Sequence, residues 1–160
     1  MRSIRRILGN VIFILIYPGL YFILSNSHRT RVIINVNEEV LFVNNWLADN
    51  KLSLPGGGIK SGEASVDGAV REVFEETGIS LLADDLKVVV INLKVKETGI
   101  RYLVDCYSIT LPKTVSTTSN HLEILESVWA PWKQKIDTKV LSKATNQLLR
   151  AWLDTQHLVN

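Results

Sequence analysis

Residues 57–79 read GGIKSGEASVDGAVREVFEETGI, and positions 71–76 alone hold one arginine and three glutamates. Glu72, Glu75 and Glu76 are spaced i, i+3 and i+4, which puts their carboxylates on one face of a helix. Like charges at that spacing repel by about a few tenths of a kcal/mol per pair. A hard divalent cation such as Mg²⁺ turns the repulsion into coordination, because it prefers carboxylate oxygens and keeps some of its own waters. Arg71 is adjacent to Glu72 in sequence but roughly 100° around the helix, so it points elsewhere, to hold Glu63 or a loop carbonyl. The glycines ahead of Glu63 let backbone N–H groups approach a phosphate closely. The plainer reading of any such run is a solvated helix face.

The spacing decides between the two readings. Gly57, Glu63, Arg71, Glu72, Val73, Glu75, Glu76, Gly78 and Ile79 fall on every fixed position of a known pattern: Gly, five residues, Glu, seven residues, Arg-Glu, an aliphatic, any residue, Glu-Glu, any residue, Gly, an aliphatic. The stretch therefore resembles the signature of the Nudix hydrolases. The resemblance implies an αβα sandwich, an α/β (α+β) fold with a mixed β-sheet. It also implies hydrolysis of a nucleoside diphosphate linked to another moiety. Carried over residue by residue, it makes Glu72, Glu75 and Glu76 ligands of Mg²⁺ or Mn²⁺, Glu63 and Arg71 supports of the loop–helix geometry, and Gly57 the residue that shapes the loop. The chemistry agrees: a phosphorus centre ringed by negative oxygens needs its charge neutralised, and a divalent cation makes water a nucleophile at neutral pH.

The resemblance leaves the general base open among Glu75 and Glu76 on the helix and two later acids, Glu123 and Glu126, each of which also reads as a solvent-facing strand residue. His121 reads as a loop residue. The proline placement of the ADP-ribose hydrolases and the upstream motif of the coenzyme A hydrolases are missing, which points towards nucleoside triphosphates or a broad-range nucleotide pyrophosphatase. Trp46, Trp129 and Trp132 could stack on a base, though packing is the commoner fate of tryptophan. Two other functions compete: a Nudix-fold module that binds nucleotide without turnover, and a membrane-anchored scaffold. The intact glutamates argue against the first.

Helices and strands must position these groups. RVIINV and VLFVNNW form a hairpin around Asn37, Glu38 and Glu39; LSLP is a short strand ending at Pro55, ahead of a loop of three glycines. Ser65 suits an N-cap, Asp67 the positive first turn, and Gly78 the C-terminal end of the signature helix. LKVVVINLKVK and IRYLVDCYSITL are strands joined at Thr98-Gly99, PKTVSTTSNH is a loop, and EILESVWAPW is a further strand. Val140, Leu141, Ala144, Leu148, Leu149 and Trp152 recur at helical spacing.

The chain's 160 residues suffice for one domain with a real core, and a net charge of +2 gives no basic field for nucleic acid. Cys106 is the single cysteine; it cannot form an internal disulfide, reads as a packed strand thiol, and suits a reducing compartment. Ahead of the domain (29–160) lies a segment (1–28) in which Ile7–Leu24 carries no charge. Its length approaches that of a bilayer span, but Pro18-Gly19 bends or breaks a helix there. No cleavage site follows it, and arginines on both flanks leave orientation open. The reading is an apolar helix, first docked on the domain or on a partner subunit of a homodimer, then interfacial, then spanning. The expected partner is a small-molecule nucleotide, with membrane contact only peripheral, through residues 7–24, and the domain cytoplasmic.

Overall fold

The computed structural model describes residues 27–45, 51–97, 99–118, 124–136 and 138–157. The expected apolar helix over 7–24 lies outside these residues, as do Trp46, His121 and Glu123. Strands β1 (His28–Val36), β2 (Glu39–Asn45) and β3 (Leu52–Ser53) are followed by helix α1 (Ser65–Thr77). A 3₁₀ turn at Ala83–Asp85 leads into β4 (Lys87–Glu97), β5 (Ile100–Thr110), β6 (Ile124–Pro131) and helix α2 (Lys143–His157). Among the described residues no helix is long and apolar enough to cross a membrane.

The sheet is mixed, in the order β3-β2-β1-β5-β4, with β6 on β2. β1 and β5 run parallel from His28↔Leu103 to Asn35↔Thr110, and the other pairings are antiparallel. Both faces of β1 are covered, as its unbroken apolar run requires. Val32 and Ile34 pack with Ala69 and Val73 of α1, and with Leu41 and Tyr107. Ile33 faces the other way, into a core with Phe42, Val104, Leu148 and Trp152. Two helical layers thus enclose the sheet, the sandwich that the sequence leads one to expect. β4 is an edge strand with Lys87, Lys94 and Lys96 exposed, charges that discourage edge-to-edge pairing.

One detail of the pairing positions the site. β2 meets β1 only at Asn35↔Val40 and Val36↔Glu39, then diverges along β6. The first half of β1 would be left with bare amides, and the glycine loop takes them. Val32 N–H donates to the Pro55 carbonyl and Thr30 N–H to that of Gly57, both at 2.9 Å, while Ile59 N–H donates to His28 at 3.1 Å. The short β3 is the remnant of a longer strand expectation, because the chain beyond Ser53 transfers its bonds from β2 to β1.

α1 begins one residue earlier than a Ser65 cap would place it. Ala64, extended at φ −68° and ψ 144°, holds the N-cap position without a side-chain bond. Gly78 ends the helix at φ 73°, its N–H donating to Phe74 O. α2 does have a hydroxyl cap: Ser142 Oγ accepts from Thr145 N–H at 3.1 Å.

Candidate active site

Arg71 is the hub. Its Nε donates to Glu63 Oε1 at 2.8 Å and its Nη2 to Glu63 Oε2 at 2.9 Å, a two-pronged pairing of fork and carboxylate. Nη2 also donates to the Gly58 carbonyl at 2.9 Å. Nη1 reaches Glu72 Oε1 at 2.7 Å and Glu75 Oε2 at 3.3 Å. Arg71 therefore does not point away from the acid face, as its helical-wheel angle suggested. Its long side chain curls back, and Glu75 one turn on lies within reach at i+4. A single guanidinium ties the loop to the helix and draws two of the three glutamates together.

The third glutamate has a different partner. Glu76 is buried, and its Oε2 accepts the Gly56 N–H at 2.8 Å. Gly56 holds φ 137°, where a side chain is strained, and a Cβ there would strike the Thr30 backbone. Gly57 is bare for another reason: a Cβ there would lie within the Glu72 carboxylate. The loop is thus drawn onto the acids so closely that hydrogen must replace a side chain.

Charge follows the contacts. Glu63 has its carboxyl pulled down to about 2, first by the bonds from Arg71 and then by the Lys60 N–H, which donates to Oε2 at 2.8 Å. Arg71 is pushed above its ordinary value, chiefly by Glu63, with Glu72 assisting against burial. Lys60 Nζ stands 4.0 Å from Glu75 Oε1.

The donor chemistry fits a hard divalent cation: carboxylates of Glu72, Glu75 and Glu76, two of them on one clamp and the third bonded to the glycine loop. Among the described residues no three groups are already arranged to hold an ion. The reason is visible, since Arg71 Nη1 sits between Glu72 and Glu75 while Glu76 turns to Gly56.

Glu126 is exposed on β6, opposite Asn44. Trp132 packs at 5.1 Å on Trp152, and Trp129 Nε1 donates to the Val115 carbonyl at 3.1 Å, so both rings are engaged in packing. Cys106 is wholly buried, and burial pushes its thiol far up, as a packed strand cysteine requires.

The sequence reading missed Asp105. Burial alone would raise its carboxyl, but the Asn92 N–H at 2.8 Å, the nearby Ser65 hydroxyl and His28 outweigh it and lower it. His28 Nε2 lies 2.9 Å from Asp105 Oδ1. An acid inside the apolar run LVDCYS was the available signal. Asp105 ties β1 and a kink in β4, at Asn92 (φ 57°), together beside the start of α1.

The Nudix signature is thus assembled in space as one loop–helix unit, and a family model for the NUDIX domain matches residues 26–145. The chain belongs to the NUDIX family. Solved structures share the Nudix fold at low identity. The MutT protein of Methanosarcina mazei is 16% identical, with 82% of this chain and 96% of that chain covered and a TM-score of 0.70. A Caenorhabditis elegans Ap4A hydrolase is 18% identical, with coverage of 82% and 98% and a TM-score of 0.64. A bifunctional NMN adenylyltransferase/ADP ribose pyrophosphatase of Francisella tularensis, in complex with AMP and a Mn ion, is 17% identical, with coverage of 92% and 47% and a TM-score of 0.68. No curated protein matches the chain. By signature and fold the chain is a Nudix hydrolase.

Proposed function

We propose that this Nudix chain is a metal-dependent pyrophosphohydrolase that cleaves a nucleoside diphosphate linked to another moiety by attack of water on phosphorus. The observation that carries the reading is the Arg71 clamp: one guanidinium holds Glu63, Glu72, Glu75 and the Gly58 carbonyl together against a loop stripped of side chains. Glu72, Glu75 and Glu76 would hold Mg²⁺ or Mn²⁺, which when bound supplies charge neutralisation at the phosphate oxygens and acidifies water for attack. Arg71 and Glu63 position the acids, and Gly57 keeps the approach to Glu72 clear. The proton from water goes to an acid that solvent reaches. Glu75, with a side chain 37% exposed, and Glu126 meet that condition. Glu76, buried on Gly56, serves as a ligand, and Glu123 stands as the remaining sequence candidate for the base. The relatives named above, which act on Ap4A and ADP ribose, support a small-molecule nucleotide substrate.

Residues 29–160 form the catalytic domain in this reading. Residues 7–24 form a bent apolar helix docked on it or on the partner subunit of a homodimer, and the domain is cytoplasmic. A panel of nucleotides and nucleotide sugars, assayed with Mg²⁺, with Mn²⁺ and with chelator, tests the activity. Cation-dependent release of a nucleotide and a phosphorylated product is expected; no cleavage of any member with either metal defeats the proposal. Fractionation tests the segment, since monomeric protein recovered without detergent removes the membrane and dimer readings together.

A further inference from the structure

Arg29 and Arg31 stand two residues apart on β1, so their side chains leave the same face of the strand. That face is the one Ile33 turns towards Tyr102, Val104 and Cys106, on the α2 side of the sheet. The Arg29 guanidinium lies 4.6 Å from the centre of the Tyr102 ring, and its Nε donates to Ser27 Oγ at 3.4 Å. Among the described residues Arg31 donates only to the neighbouring Thr30 carbonyl, from Nη1 at 3.2 Å. Among the described residues neither guanidinium has a carboxylate within 4.0 Å. Glu97 acts on Arg29 from farther off, and its oxygens are already engaged. One accepts the Tyr102 hydroxyl at 2.9 Å and the other the Lys143 N–H at 2.6 Å.

Two partly buried cations side by side without an acid between them pose the same question as the crowded glutamates, with the sign reversed. Burial, and then the charge of Arg31, push Arg29 below its ordinary value. An anion seated between the two would reverse both penalties. Tyr102 supplies no such anion: burial and then Glu97 push its phenol up to about 12, so it stays neutral and serves as a platform.

Position ties the pair to the glutamates. Arg29 pairs through its backbone with Gly58, the residue whose carbonyl Arg71 holds, and Glu72 is among the charges that act on Arg29. The backbones of Arg29 and Arg31 therefore border the same glycine loop that the acids hold. Planar forks match phosphate oxygens two at a time, and Arg29 already lies over the Tyr102 ring.

We propose that Arg29 and Arg31 form the subsite for a phosphoryl group of the substrate beyond the one being attacked. The enzyme then favours a nucleoside triphosphate over a nucleoside diphosphate joined to a neutral sugar. The inference rests on the pyrophosphohydrolase reading for its substrate, although the binding test does not.

The full-length chain and its Arg31→Gln, Arg29→Lys and Arg29→Gln/Arg31→Gln variants are titrated calorimetrically with inorganic triphosphate in chelator. They are then assayed with Mg²⁺ on a nucleoside triphosphate and on a nucleotide sugar. Each charge-assisted bond lost should weaken triphosphate binding about tenfold or more. The ratio of kcat/KM for triphosphate to that for nucleotide sugar should fall by a similar factor, mostly through KM. Parent protein that binds no triphosphate, variants that bind it as tightly as the parent, or an equal loss on both substrates would each overturn the subsite. If the parent cleaves nothing with Mg²⁺ but its metal-free titration depends on the arginines, the hydrolase reading fails and the subsite stands. Should the Arg29 variants misfold, Arg31→Gln decides, since among the described residues Arg31 bonds only its neighbour's carbonyl.

Discussion

Arg71 and Arg29 meet the same glycine from different elements. Arg71 reaches the Gly58 carbonyl from α1 and is saturated with carboxylates; Arg29 pairs with the Gly58 backbone from β1 and, among the described residues, has none within bonding distance. Their titrations move oppositely, Arg71 upward through its bonds to Glu63 and Arg29 downward through burial and Arg31. The side chains are chemically identical, so surroundings alone separate a cation that builds the site from one that waits for a ligand.

The comparison breaks first if the acids around Arg71 do no chemistry. Glu76→Gln keeps an oxygen for the Gly56 N–H, so the fold should persist while turnover falls on the order of a thousandfold. Steady-state rates beside a thermal melt check this, and parent-like turnover in both Glu76→Gln and Glu75→Gln would end the catalytic assignment. Arg71→Ala comes next. It strands three carboxylates in a partly buried site, and urea unfolding should show a loss of about 2–4 kcal/mol together with a fall in activity. An activity loss at unchanged stability would instead place Arg71 on the substrate.

Gly57→Ala should separate chemistry from stability, because its methyl displaces only the flexible end of Glu72. Activity is expected to drop more steeply than the melting temperature. Gly56→Ala, which meets the Thr30 backbone at positive φ, should do the reverse. A smaller effect lies in acid. The Glu63 carboxyl falls from 4.5 to about 2 on folding, so its share of stability is complete above the unfolded value and disappears as pH drops towards 2. Melting curves from pH 5 to 2 should therefore slope less in Glu63→Gln than in the parent. Smallest of all, Arg31→Gln should leave stability within about 0.5 kcal/mol of the parent, since it removes a repelled charge with no acid partner among the described residues. A large loss there would make Arg31 a structural residue like Arg71.

The signature helix, the strands and the place of Gly57 were legible because each depends on local spacing. Gly78, Val73 and the three glutamates occupy the positions that periodicity assigns. The reach of Arg71 was misjudged, because a wheel angle describes where a Cβ points and not where a long guanidinium ends. Arg29 and Arg31 looked like mere flanking charges, since their meaning comes from Gly58, Tyr102 and Glu97, all distant in the chain. Asp105 was visible as an acid in an apolar strand, but its partners His28 and Asn92 come from two other strands. The shortening of β3 was hidden for the same reason: whether residues 54–59 bond to β2 or β1 depends on where β2 diverges to β6.

Cys106 pairs in register with Arg31 across the parallel β1–β5 seam, wholly enclosed, with burial holding its thiol protonated. As the chain's one cysteine, it makes the protein its own unfolding clock. An alkylating reagent can reach that sulfur only while the central seam is parted, so labelling counts openings of the deepest part of the sheet and ignores fraying at the edges. A ligand that bridges β1 to the glycine loop would slow that clock, and the slowing would report occupancy without any reaction being followed.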